Sequence, residues 1–279
     1  MEKYSLLPAQ LLYEGTVTEA NFFEPSIIQD SLVLKVHDLE YLEKLKNLNL
    51  TKREQRVTGF PLSAALVKRE LEITQGTVTA VDYAFKYGVA ANIAGGTHHA
   101  YPDHGEGFCL LNDIAVASHY AMDELGVKKI LVIDLDVHQG NGTAFIFQNE
   151  KRVFTFSMHG EKNYPLHKEN SDLDIELKDN TGDKEYLQVL QDTVPELIKS
   201  EKPDLIFFQS GVDILESDKL GRLALTLDGC KKRDRLVFEA AHSNEIPIVF
   251  NMGGGYSTRI ATIVDAHANT FKMARDVFF

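Results

Sequence analysis

Residues 129–138 read KILVIDLDVH, an apolar run that ends in a row of ionisable side chains, Asp134, Asp136 and His138. Short runs rich in Val, Ile and Leu, hydrophobic at nearly every position, are the pattern of strands covered on both faces of a parallel sheet. Similar runs occur at Leu32–Val36, Val89–Ile93, Val153–Met158, Leu205–Gln209 and Ile246–Asn251. Between them lie stretches with helical spacing: Asp38–Asn47, Leu62–Glu72, Thr77–Tyr87, Asn112–Leu125, Asp183–Lys199, Cys230–Asn244 and Arg259–Arg275. Alternation of this kind predicts an α/β fold with a mainly parallel sheet between helical layers. No internal repeat or low-complexity linker interrupts it, so residues 1–279 read as a single domain. The stretch Gly160–Asp183, broken by Asn163, Pro165, Asn170, Asn180 and Gly182, reads as a long irregular loop.

In such sheets ligands gather beyond the carboxyl ends of the strands. Four of those ends carry unusual chemistry: GGTHH at 95–99, DLDVH at 134–138, SGVD at 210–213 and GGGY at 253–256. Alternate residues of an extended chain project to one side, so Asp136 and His138 can converge on one cation, with Asp213 as the natural third ligand. Three carboxylate or imidazole ligands with a position left open is the pattern of a catalytic zinc site. Adjacent histidines, His98 and His99, suit general acid–base work beside it. Their far ring nitrogens need partners that fix the tautomer, and Asp134 and Asn141 are the candidates.

The Tyr256 hydroxyl, presented by three glycines, can donate to an oxyanion as a tetrahedral intermediate forms. Gly107, Phe108 and Tyr164 are candidates for the walls of a narrow channel that would admit the methylene stem of a lysine side chain; core packing is the rival reading for Phe108. Phosphate binding finds no support, since neither a Walker lysine nor a G-x-G-x-x-G after a strand is present.

The chain of 279 residues has 29 Lys and Arg against 41 Asp and Glu, a formal charge of −12. Such a field repels nucleic-acid phosphates and anionic membranes and favours a cationic substrate. Two cysteines without close spacing, no apolar leader and no membrane-length apolar run read as a cytoplasmic protein.

The motifs GGTHHA, GEGFCLLND, VIDLDVHQGNG, QSGVD and NMGGGY, in this order, together with VHDLEYL at 36–42, make the chain resemble the histone deacetylase superfamily. HQGNG looks closest to its class IV branch and bacterial relatives. The resemblance implies an arginase-like three-layer α/β/α fold. It also implies a zinc ion on Asp136, His138 and Asp213, and His99 as general base and then acid with His98 as its electrostatic partner. Tyr256 would stabilise the oxyanion, and Asp134 would orient the first histidine. A structural K+ or Na+ would sit on carbonyls of Asp134, Asp136 and His138 and the hydroxyl of Ser157. Family chains open with a strand ahead of the region matching Lys3–Leu12, so that strand is expected to be missing here. Asn141 stands where class I members carry an aspartate, which makes His99 less basic. The implied activity is hydrolysis of N-acyl lysine amides in peptides or proteins; the alternatives are deacetylation of small acetylated amines such as polyamines, and a non-catalytic acyl-lysine binding module. Arginase-type chemistry wants further aspartates after His138, and a nonheme iron centre wants two histidines and one carboxylate.

Overall fold

The computed structural model describes residues 2–279. Its helices are α1 (Lys3–Tyr13), α2 (Asp30–Val33), α3 (Leu39–Lys46), α4 (Lys52–Thr58), α5 (Ala64–Tyr87), α6 (Asp113–Glu124), α7 (Asn141–Phe147), α8 (Asp183–Glu201), α9 (Leu227–Ser243) and α10 (Ile260–Phe278). The strands are β1 (Val89–Asn92), β2 (Ile130–Asp134), β3 (Val153–Gly160), β4 (Leu173–Leu177), β5 (Leu205–Gln209) and β6 (Ile248–Asn251). They form one parallel sheet in the order β1-β6-β5-β2-β3-β4. Among the described residues, no strand lies beyond β1 and no helix is long and apolar enough to cross a membrane.

The period-two geometry of the strands explains the layers. Ile130, Val132, Phe207 and Val249 enter one core with side chains of α5 and α6. Their neighbours Leu131, Ile133, Ile206, Phe208, Ile248 and Phe250 enter a second core under α8, α9 and α10. A strand buried on both faces has no polar position to spare, so the central runs are apolar throughout. A third cluster, Leu7 and Leu11 with Met252, Val264 and Ala268, docks α1 onto α10.

Three local readings differ from the structure. Leu32–Val36 is no strand: Val33, Val36 and His37 are buried at roughly helical spacing while Leu34 is exposed, and the Leu34 and His37 amides donate to Asp30 and Val33 carbonyls. The two helices expected at Leu62–Glu72 and Thr77–Tyr87 are one, α5. It runs through Gly76, where a β-carbon would stand 2.9 Å from Asn92 Nδ2, so this glycine allows β1 to approach the helix closely. The irregular stretch Gly160–Asp183 contains β4, an edge strand whose Leu173, Ile175 and Leu177 alternate with Asp174 and Glu176.

The segment before α3 is fastened to the site loops by a neutral histidine. His37 Nδ1–H donates to the Tyr101 carbonyl (3.0 Å), and its Nε2 accepts the Asn112 amide (2.9 Å). Burial depresses its pKa to about 4, against backbone carbonyls that act the other way. Between pH 6.5 and 4 the unfolded chain therefore binds a proton that the folded chain refuses, so this stabilisation is present above pH 6.5 and lost as the pH falls. The difference corresponds to about 3 kcal/mol. In denaturant titrations, the stability gap between wild type and His37→Gln should shrink by about that amount from pH 7 to pH 4. A constant gap would show that His37 is not held neutral.

Candidate metal and catalytic centre

At the carboxyl end of β2 the chain leaves the sheet at Asp134, and the next turns place Asp136 and His138 against Asp213, which follows β5. His138 Nδ1 stands 3.0 Å from Asp136 Oδ1 and 3.1 Å from Asp213 Oδ2. One ligand atom from each of these three buried residues lies within 4.8 Å of the other two. Backbone amides orient the carboxylates: His138 N–H donates to Asp136 Oδ1 (3.0 Å), Gly254 N–H to Asp136 Oδ2 (2.8 Å) and Val137 N–H to Asp213 Oδ1 (3.0 Å). Gly254 has to be glycine, because a β-carbon there would collide with the Asp213 carboxylate.

The electrostatics favour a cation. Burial works against a charged His138, yet the flanking carboxylates push its pKa up to about 10. Burial and the neighbouring Asp136 push Asp213 up to about 7. Burial would raise Asp136 as well, but His138 and His98 hold it well below the usual carboxylate range. His138 and Asp213 are thus pushed toward holding protons that a divalent ion would replace, and Oδ, Nδ1 and Oδ are ligand atoms suited to zinc.

Two more imidazoles adjoin this cluster. His98 and His99 lie with ring centroids 4.1 Å apart, and His99 is 6.1 Å from His138. His98 Nδ1 bonds Asp134 Oδ2 at 2.6 Å; burial opposes its charge, but the Asp134 carboxylate lifts its pKa to about 9. His99 Nδ1 pairs with Asn141 Oδ1 at 2.6 Å, and burial, His98 and His138 drive its pKa well below the ordinary value. At neutral pH the first imidazole is a cation and the second a neutral base, tuned apart by their partners. An amide oxygen only accepts, so His99 carries its proton on Nδ1 and leaves Nε2 basic.

Tyr256 faces the same space, its ring 6.5 Å from that of His138 and 6.0 Å from that of Phe108. Its backbone amide donates to Asp218 Oδ2 (2.6 Å), and burial beside Asp213 and Asp136 keeps the phenol protonated. Phe108 is 42% exposed, with a left-handed backbone (φ 68°) tied by its amide to the Thr58 carbonyl. It is therefore not a core residue, and its ring packs on Phe60 and Tyr256. Tyr164 stands edge-on to His99 at 5.1 Å, and Gly107 backs onto the His99 ring. Ser157 lies beside Asp134 in the β2–β3 register, its hydroxyl 2.9 Å from His159 Nδ1. All the residues singled out in the sequence therefore gather at one end of the sheet.

Three supports had no such forewarning. Asp113, at the start of α6, accepts the amides of Gly96 and Thr97, the hydroxyls of Thr97 and Thr77 and the Asn251 side chain, which fixes the loop carrying both histidines. Arg233 is fully buried against Asp234 and donates to the carbonyls of Leu135, Gly211 and Ser210, clamping two ligand loops together. Glu106 bonds the Asn141 amide at 2.5 Å. Cys109 and Cys230 are free and buried, and burial raises both thiols.

The Histone deacetylase domain family matches residues 1–271. An uncharacterized protein of Picosynechococcus is 41% identical over 278 residues, covering 100% of this chain and 93% of that protein. Histone deacetylase 2 of Arabidopsis thaliana is 31% identical over 263 residues, covering 91% of this chain and 68% of that one. The crystal structure of an HDAC homolog complexed with SAHA superposes with a TM-score of 0.84 at 25% identity, covering 98% of this chain and 77% of the other.

Proposed function

The chain belongs to the histone deacetylase family, and from that premise we propose that it is a zinc-dependent deacylase that hydrolyses N-acyl amides of lysine side chains, one catalytic domain spanning residues 1–279. The convergence of Asp136, His138 and Asp213 beside one charged and one neutral imidazole carries this reading.

Asp136, His138 and Asp213 would hold the zinc, which when bound polarises an amide carbonyl and acidifies water. The chain's own groups account for the proton traffic. His99 Nε2 accepts a proton from the attacking water as its oxygen bonds to the amide carbon. Tyr256, kept protonated, donates a hydrogen bond to the amide oxygen as that oxygen gains charge. His98, a cation braced by Asp134, adds positive field without surrendering its proton. His99 then returns the proton to the amine nitrogen as the C–N bond breaks, releasing a carboxylic acid and a free amine. Phe108 and Tyr164 border the opening with apolar ring surface, as a lysine stem would require. Carbonyls of Asp134, Asp136 and His138 with the Ser157 hydroxyl would hold K+ or Na+. The net charge of −12 favours peptides with further basic residues.

Incubation of the purified protein with a fluorogenic acetyl-lysine substrate tests the reading. Turnover should disappear with a chelator and return with zinc. A zinc-loaded protein that binds the acyl-lysine without cleaving it would instead be a binding module. Faster release of acetate from acetylated polyamines would place the substrate among small amines.

A further inference from the structure

Asn141 poses a problem of orientation. A side-chain amide has a donor end and an acceptor end of nearly equal shape, and half a turn about its last torsion exchanges them. Only the carbonyl orientation lets Asn141 accept His99 Nδ1–H and leave Nε2 basic. The flipped amide would offer N–H to Nδ1, moving the ring proton to Nε2 and removing the base. An aspartate would not face this ambiguity, since both of its oxygens accept.

The surroundings of Asn141 settle the orientation. Its Nδ2 donates to Glu106 Oε1 at 2.5 Å and to the Tyr101 hydroxyl oxygen at 3.1 Å. The Tyr101 hydroxyl spends its own proton on Glu169 Oε1, 3.1 Å away, so it meets Asn141 as an acceptor. The Glu106 atom that meets Asn141 is a side-chain oxygen, Oε1, which accepts. Both partners therefore demand the amide nitrogen, and the carbonyl is left for His99 at 2.6 Å. Glu106 is itself only 16% exposed and also faces His104 Nε2 at 3.9 Å.

We infer that Glu106 is a positioning residue of the reaction: by accepting the Asn141 amide it fixes that amide's direction and, through it, the tautomer of His99. The inference deepens the deacylase reading and rests on it for the role of His99. The hydrogen-bond chain Glu106–Asn141–His99 supplies a neutral link to a carboxylate one residue further out than a directly placed aspartate.

The test is a set of zinc-loaded variants of the 279-residue chain, assayed on the fluorogenic acetyl-lysine substrate and by nitrogen-15 NMR of the His99 ring. E106A should lower kcat by about ten- to a hundredfold with KM nearly unchanged, the range seen when such outer partners are lost. E106Q, which keeps an accepting oxygen, should remain within about threefold of wild type. N141D alone sets two carboxylates against each other and should be impaired. In the E106A/N141D pair the aspartate needs no orienting partner, so kcat should recover and the two losses should be strongly non-additive. The Nδ1–H signal of His99 should weaken in E106A and return in the double variant. Unchanged kcat and an intact Nδ1–H signal in E106A would overturn the inference, as would losses that simply add in the double variant. If wild type cleaves no acyl-lysine, the functional reading fails while the NMR series still decides the role of Glu106.

Discussion

On the proposed ligand set, His138→Ala should lose both metal and turnover: zinc should fall from about one ion per chain to a small fraction, and cleavage of acetyl-lysine to the uncatalysed background. The reason lies in the donor set. His138 supplies the one nitrogen among three ligand atoms, and its removal leaves Asp136 and Asp213 side by side with no cation between them. Asp213 already holds its proton up to about pH 7 because of burial and Asp136. Without the imidazole it holds that proton more strongly still, so zinc would have to displace a proton from a site with fewer ligands. The fold should survive, because the carboxylates keep their bonds to the backbone amides of Gly254 and Val137. Elemental analysis, far-ultraviolet circular dichroism and the fluorogenic assay check the three parts together. A folded variant with full zinc content would remove His138 from the ligand set.

Tyr256→Phe separates chemistry from metal binding. The phenol belongs to none of the three ligand residues, so zinc content should match wild type. Turnover should fall by roughly two to three powers of ten, the usual loss when one oxyanion donor is removed. KM should move little, since the hydroxyl acts on charge that develops only as the carbonyl is attacked. The backbone of this segment is anchored independently, Tyr256 N–H on Asp218 and Gly254 N–H on Asp136, so the ring should keep its place. Steady-state kinetics on the fluorogenic substrate decide it. Normal turnover by Tyr256→Phe would assign oxyanion stabilisation elsewhere.

Much of this architecture was legible in the sequence, for a simple reason. Strands buried on both faces carry continuous apolar runs, and β2, β3, β5 and β6 announce themselves in that way, while the half-buried edge strand β1 shows in the short apolar run at Val89–Ile93. The sixth, β4, is an edge strand half open to solvent. Its signal is the period-two alternation of Leu173, Ile175 and Leu177 with Asp174 and Glu176, which turn-forming neighbours concealed. The error at Leu32–Val36 is the converse: an apolar run without a paired neighbour curled into a turn of helix and buried only Val33, Val36 and His37.

The site divides along the same line. Groups that follow strand ends, such as Asp136, His138 and His99, are visible because sequence order puts them there. Asp113, Arg233 and Glu106 act through bonds to residues far along the chain; Asp113 and Glu106 stand inside the GEGFCLLND motif, but no local spacing says which groups they hold. Arg233 in particular lies in a run of charged residues, KKRDR at 231–235, yet it is fully buried and clamps three carbonyls. A charged residue at a core-facing helical position, spaced with Cys230, Val237 and Ala241, was the available clue.

One divalent ion should sit on Asp136, His138 and Asp213. Crystals grown with zinc and measured on both sides of the zinc absorption edge test it most directly. One anomalous peak per chain should appear about 2.0–2.2 Å from His138 Nδ1 and from one oxygen each of Asp136 and Asp213. A peak elsewhere, with these three side chains still bonded only to one another, would contradict it.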